Sequence, residues 1–231
     1  MNYDWQAGVA LFVTVVVLTM LVRRIAFSIP AVQRMRDWNA EEDRQRLEKA
    51  KYPPIVKQNR LIGSVVYGLF FLVVAPFFTH LQAVPVWKPV LDIVAVLMVY
   101  DFFYYLMHRF LFHGPILLKV HALHHQARDP SHIDSAYVHP VETMLGTMLF
   151  LGTVLGMTAV LGTYNAFTLA VLFVIWVQLN TVNHAKFDLP YFPFKTLNWL
   201  IHKHHVHHIN MGMGNYATIT MLYDKMFGTL D

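Results

Sequence analysis

Residues 90–106 read VLDIVAVLMVYDFFYYL and residues 107–115 continue MHRFLFHGP, so an apolar run of membrane-spanning character ends on two histidines, His108 and His113. About 20 such residues cross the hydrocarbon core of a bilayer. Working outward, Leu61–Phe78 forms a second apolar run before this one, across a short outer turn from His80 to Pro89 in which Trp87 suits an interface anchor. Val141–Leu161 and Phe167–Val182 follow it, joined by the tight turn Gly162–Asn165. Ala7–Val22 is the first run. A cleaved signal peptide would carry a basic start, whereas here the chain opens MNYDW and Arg23–Arg24 follow the run, as in an anchor with its N-terminus outside. The pattern predicts an all-α, multi-pass transmembrane helical bundle of about five spans.

Composition agrees. Of 231 residues, 56% are hydrophobic and 14% charged, against about 25% charged in soluble domains. Cysteine is absent, which excludes disulfides and thiolate metal sites. Residues 23–60 hold ten of the eighteen Lys and Arg against five acids. A basic segment can serve nucleic acid, but between two apolar runs it reads as a loop kept on the positive, cytoplasmic side of the membrane. Its charged stretch from Trp38 reads as a surface helix ended near Pro53–Pro54. The chain divides into residues 1–60, a membrane anchor with a basic cytoplasmic segment, and a second domain, residues 61–231.

Histidine is the outlier: thirteen of the fourteen lie between His108 and His208. Counting crossings puts the stretches near 108–125, at 184 and at 202–208 on the same side as the basic loop, a histidine-rich cytoplasmic cap. Residues five apart differ by about 140° on an ideal helix. His108 and His113 therefore share a face only if the helix ends or distorts between them, and Gly114–Pro115 supplies a reason to end it. His121, His124 and His125 have the spacing i, i+3, i+4, which recurs as His204, His207 and His208. The adjacent pair in each diverges by about 100°, so one member can serve one metal and its neighbour a second. Imidazole suits zinc, copper, iron and nickel, and clustered ionisable groups at a membrane boundary are costly unless they have work to do.

These three boxes resemble those of the fatty acid hydroxylase and sterol desaturase superfamily of membrane di-iron enzymes. His139-Pro-Val-Glu142, Asn215-Tyr216 and Tyr223-Asp-Lys-Met-Phe-Gly-Thr229 are similar to further family motifs, and the resemblance covers roughly residues 60–230. It implies two metals held by His108, His113, His121, His124, His125, His184, His204, His207 and His208. Some members carry another histidine where this chain has Asn180, which is expected to bind directly or through water unless His202 or His205 fills the gap. Asp101, seven residues before His108, is expected either to orient a ligand ring or to act as polar glue between helices. Glu142 is expected to support a ligand, to relay a proton, or simply to favour a helix N-terminus. The aromatic residues Tyr100, Tyr104, Tyr105 and Trp176 read as packing or as the lining of a lipid groove.

The chemistry implied is hydroxylation or desaturation of a lipid, fatty acyl or sterol-like substrate by O2. Two iron ions fit a redox reaction; zinc fits the same imidazoles but cannot change valence. Two electrons come from the C–H bond and two from a separate donor of reductase, ferredoxin or cytochrome b5 type. No nucleic-acid partner is expected. The compartment is a bacterial inner membrane or the endoplasmic reticulum. A membrane metal transporter or metal sensor is the rival reading, and it would place ligands at mid-membrane in broken helices.

Overall fold

The computed structural model describes residues 3–231. Four helices are long and apolar enough to cross a membrane: α1, Trp5–Ser28; α3, from Tyr52 through Leu69 and a wider continuation to Phe77; α4, Trp87–Met107 with a π-turn to Phe112; and α6, Pro140–Leu161. A fifth, α7 (Ala166–Val182), is shorter, and most of its apolar side chains are buried by its neighbours. The exposed apolar residues of the bundle, such as Leu61, Leu69, Val94 and Val160, face where lipid would lie. The chain is a multi-pass integral membrane protein.

The core forms where α1, α3, α4, α6 and α7 meet. Phe150 stacks on Trp176 with ring centroids 3.9 Å apart, and Phe71, Phe78, Tyr100, Leu169 and Phe173 close around them. The N-terminal helix α1 belongs to this packing. Leu11 joins the core, and at Gly8 a side chain would meet Pro76 at 2.6 Å, so α1 lies hard against the end of α3.

Both hairpin tips lie at one end. Strand β1 (Thr79–His80) pairs in parallel with β2 (Tyr164–Asn165), and Asn165 Nδ2 donates to the Gln82 carbonyl at 2.8 Å. The other end carries α2 (Pro30–Leu47), the short α5 (Leu118–His121), α8 (Lys195–Ile209) and α9 (Leu222–Met226). This is the histidine end.

Two local expectations are corrected. Pro53 and Pro54 do not end a helix. They stand in the first turn of α3, where a missing N–H costs nothing. The helix before them, α2, stops at Leu47. The second box is also not one continuous helix: α5 ends at His121, and a 3-10 turn begins at His124.

Candidate metal centre

Nine imidazoles converge at the histidine end in two groups, His108, His113, His121, His125 and His207 in the first, and His124, His184, His204 and His208 in the second. Within each group one ring nitrogen from every residue lies within 4.8 Å of the others.

Local backbone explains how each arrives. The π-turn His108–Phe112 closes with the His113 amide donating to the His108 carbonyl at 3.0 Å, an i→i+5 bond. The extra residue brings His113 round beneath His108, which an α-helix would not. Gly114 makes the exit possible, because a Cβ there would sit 1.9 Å from the Phe110 carbonyl oxygen. In the other two boxes the i and i+4 members stay together while the i+3 member turns away. His121 and His125 enter the first group and His124 the second; His204 and His208 enter the second and His207 the first. These two boxes thus bridge both groups, in opposite senses.

Hydrogen bonding fixes what the rings offer. Carbonyl oxygens only accept, so a ring nitrogen resting on one must carry the proton. Nδ1 donates to the carbonyls of Tyr216 from His108 (2.7 Å), Met211 from His113 (3.0 Å), Tyr137 from His124 (3.4 Å), Asn180 from His184 (3.1 Å), Gly214 from His207 (2.7 Å) and Ala127 from His208 (3.0 Å). His121 Nδ1 donates to Glu142 Oε1 at 2.9 Å. Their Nε2 atoms are therefore bare lone pairs, and they point at one another. His108 and His121 are 3.1 Å apart at Nε2, His113 and His207 3.2 Å, and His124 and His184 3.0 Å. Two acceptors cannot bond each other, whereas nitrogens about 2.1 Å from one ion at right angles lie about 3.0 Å apart. The donor set fits two metal cations.

Burial supports this. It pushes His121 down to about 3 and His113 to about 4, with neighbouring rings adding to the effect on His113, and holds His204, His207 and His208 well below the ordinary histidine range. The rings stay neutral at pH 7, as metal ligands must.

The remaining candidates are placed as follows. Asn180 adjoins the second group, and its carbonyl receives His184. Its own amide is engaged, Nδ2 donating to the Trp176 carbonyl at 2.8 Å and Oδ1 accepting from the Thr218 hydroxyl at 3.2 Å. His202 is exposed, and His205 lies against the backbone of His184 and Ala185 beside Lys186, so neither joins a group. Of the two roles expected of Asp101, the bond to a ligand ring is not made, and the residue ties one segment of the chain to another. Both its oxygens accept from the segment after α8, from the amides of Thr218 (3.0 Å), Ile219 (2.8 Å) and Thr220 (3.0 Å) and from the Thr220 hydroxyl (2.9 Å). A carboxylate suits this because it can accept four bonds and donate none.

A cavity of about 180 Å³ adjoins the second group, lined by His124, His184, Glu142, Tyr104, Tyr100, Tyr67, Trp176 and Asn180 among others. Glu142 Oε2 is buried there without a partner. Tyr105 points elsewhere, to Thr229 and Arg109.

Sequence reasoning missed the residues that frame the centre from residues 23–60. Asn39 bonds the backbone of Lys186 in both directions at 2.8 Å, and Asp43 accepts from the Ser131 hydroxyl (2.8 Å) and the Ile133 amide (3.0 Å). Arg46 pairs with the fully buried Asp134 at 2.6 Å, Tyr52 donates to the same carboxylate at 2.9 Å, and Asn59 donates to the Val138 carbonyl at 2.6 Å. These hold the stretches of chain that follow His124–His125 and His184. Their only sequence signal is polar residues in a helix already rich in them.

Residues 93–229 match the family model for fatty acid hydroxylase. The chain is 36% identical over 135 residues to methylsterol monooxygenase 1 of Rattus norvegicus and 32% over 133 residues to that of Gallus gallus, 56% of this chain in each case. It is 31% identical over 138 residues, 57% of the chain, to Protein CER1-like 2 of Arabidopsis thaliana. The matches cover 43%, 42% and 22% of those proteins, so the chain spans about half or less of the length of these relatives. No solved structure gives a significant match. With its family match covering more than half of its residues and all nine converging histidines inside it, the chain belongs to the fatty acid hydroxylase family.

Proposed function

We propose that the protein is a membrane oxygenase that uses O2 and electrons from a separate donor to hydroxylate a lipid, fatty acyl or sterol-like substrate, with the histidine end on the cytoplasmic side. The observation that carries this reading is the pair of all-histidine donor sets whose bare Nε2 atoms meet, the second of them beside a cavity. The first set would hold one iron through His108, His113, His121, His125 and His207, and the second the other through His124, His184, His204 and His208.

Bound iron supplies the redox chemistry, activating O2 for attack on an unactivated C–H bond, which zinc in the same sites would not. The chain does the rest. Backbone carbonyls and Glu142 hold the rings in one tautomer and one orientation. Glu142 Oε2, facing the cavity while Oε1 holds His121, is the group placed to take up or deliver a proton. Tyr67, Tyr100 and Trp176 give the cavity apolar faces on which a hydrocarbon chain can lie. Asp101 sets the strap after α8 against α4, and the carbonyls of Tyr216 and Gly214 on that strap carry His108 and His207. Methylsterol monooxygenases among the relatives favour a sterol-like or acyl substrate. The ligands stand at helix ends and in connections, which fits catalysis at the membrane surface and not passage of an ion through its middle.

The test is lipid mass spectrometry of cells with and without the gene, together with metal analysis of the purified protein. A lipid gaining about 16 mass units, and about two metals per chain, are the expected results. A product lighter by about two units would mean desaturation. One metal or none in an active preparation would overturn the assignment.

A further inference from the structure

The cavity beside His124 and His184 continues outward. Tyr67, Ser135, Val138 and Thr143 line it and also line a second cavity of about 440 Å³ between α3 and the α6–α7 pair. Arg60 and Ser64, both exposed, form the outer wall of that second space. The two together make a path from the metal ligands to the side of the bundle.

Arg60 has a defined depth. No Lys, Arg, Asp or Glu occurs from Leu61 to Trp87, so it is the last charge before α3 enters its apolar stretch and marks the lipid–water boundary at the histidine end. Polar groups along the path are mostly satisfied from within. Ser64 donates to the Arg60 carbonyl, Thr181 to Val177, Ser135 to His132, and Thr143 to Asn59. The Arg60 guanidinium, by contrast, has no hydrogen-bond or ion-pair partner among the described residues. An unpaired guanidinium at the mouth of a passage whose outer hydroxyls are satisfied is free to receive an anion.

We propose that substrate enters sideways from the leaflet at the histidine end, between α3 and α6–α7, and that Arg60 holds an anionic head group while the attached chain reaches the metal cavity. This rests on the oxygenase reading and narrows it to amphiphiles with a carboxylate or phosphate head.

The experiment uses the full chain in uncharged detergent with three photoreactive probes sharing one diazirine-bearing chain: a fatty acid, the matching fatty alcohol, and a phosphatidylglycerol. Labelling of peptides containing Tyr67 and Thr143 is read by mass spectrometry. At least one anionic probe should label them more strongly than the alcohol, and the better of the two tells whether the head is a free acid or a phospholipid. Arg60→Gln should lower anionic labelling roughly tenfold, the size of one lost charge-assisted contact, and leave the alcohol and the metal content unchanged. Arg60→Lys should keep most of it. Equal labelling by acid, phospholipid and alcohol, or anionic labelling unaffected by Arg60→Gln, would overturn the proposal. Labelling requires no turnover, so the two readings fail separately. Labelled cavity peptides without any oxygenated lipid would sink the oxygenase reading alone, and oxygenated lipid with no anion-dependent labelling would sink this one alone.

Discussion

Adjacent histidines in the third box do unequal work. His204, His207 and His208 are buried with Nε2 turned inward, whereas His205 rests against the 184–186 backbone. Alanine at His208 is expected to lower activity by more than about 100-fold, beyond the usual cost of losing a ligand's supporting partner, and to remove metal from the second group. His205→Ala should retain most activity and both metals, as metal analysis of the two variants would reveal. Equal loss in both would return His205 to the ligand set. The depressed ring values also carry a sign. His113 and His121 are held at about 4 and 3 in the fold against 6.5 in an unfolded chain, so between those limits the unfolded state binds more protons. Stability of the metal-free protein is therefore present above about pH 6.5 and lost as pH falls toward 4, and its melting temperature should drop from pH 7 to pH 5. An unchanged melting temperature would mean that these rings are not buried in solution. The nine histidines that converge were all singled out by spacing and resemblance. Asp101 was not, because its partners lie 117 to 119 residues away in the chain.

The spacing of five between His108 and His113 demanded a break or a distortion in the helix, and the structure answers with a π-turn. Which of the two it would be was beyond sequence reading, since a π-turn is stabilised by what its side chains meet: the Tyr216 carbonyl for His108 and the Met211 carbonyl for His113. Gly114→Ala tests the element. A methyl group there collides with the Phe110 carbonyl, and relief requires unwinding the turn that aims His113. The variant should fold with the second group loaded and the first depleted, giving about one metal per chain where the full set would hold two. Two metals in Gly114→Ala would show that the turn tolerates a side chain and does not set the ligand. Helix limits were less readable than helix existence. Pro53 and Pro54 carry the same local signal whether they end one helix or begin the next, and only the placement of Tyr52 on Asp134 decides it.

Across the bundle, crossing counts correctly gathered the histidines at one end, because two apolar runs joined by a short turn must return to the side they left. The corresponding prediction is topological. Tags after Lys51 and after Asp231 should report the cytoplasmic side, and a tag near Gln82 the opposite one. Tags at 51 and 231 on different sides would contradict the arrangement. The role of residues 23–60 was less visible: charge alone explains their placement, yet Asn39, Asp43, Arg46 and Tyr52 also brace the connections that carry ligands. The two short strands at the far end have a mechanical consequence. Thr79–His80 and Tyr164–Asn165 fasten the tip of the α3–α4 pair to the tip of the α6–α7 pair, so the two behave as tongs riveted at one end. Any spreading of α3 from α6 and α7 must widen toward the jaws, where Arg60 and the metals sit, while the riveted end keeps its grip. An opening in that half must first part Asn59 from Thr143 and from the Val138 carbonyl, so the jaws close on a polar clasp.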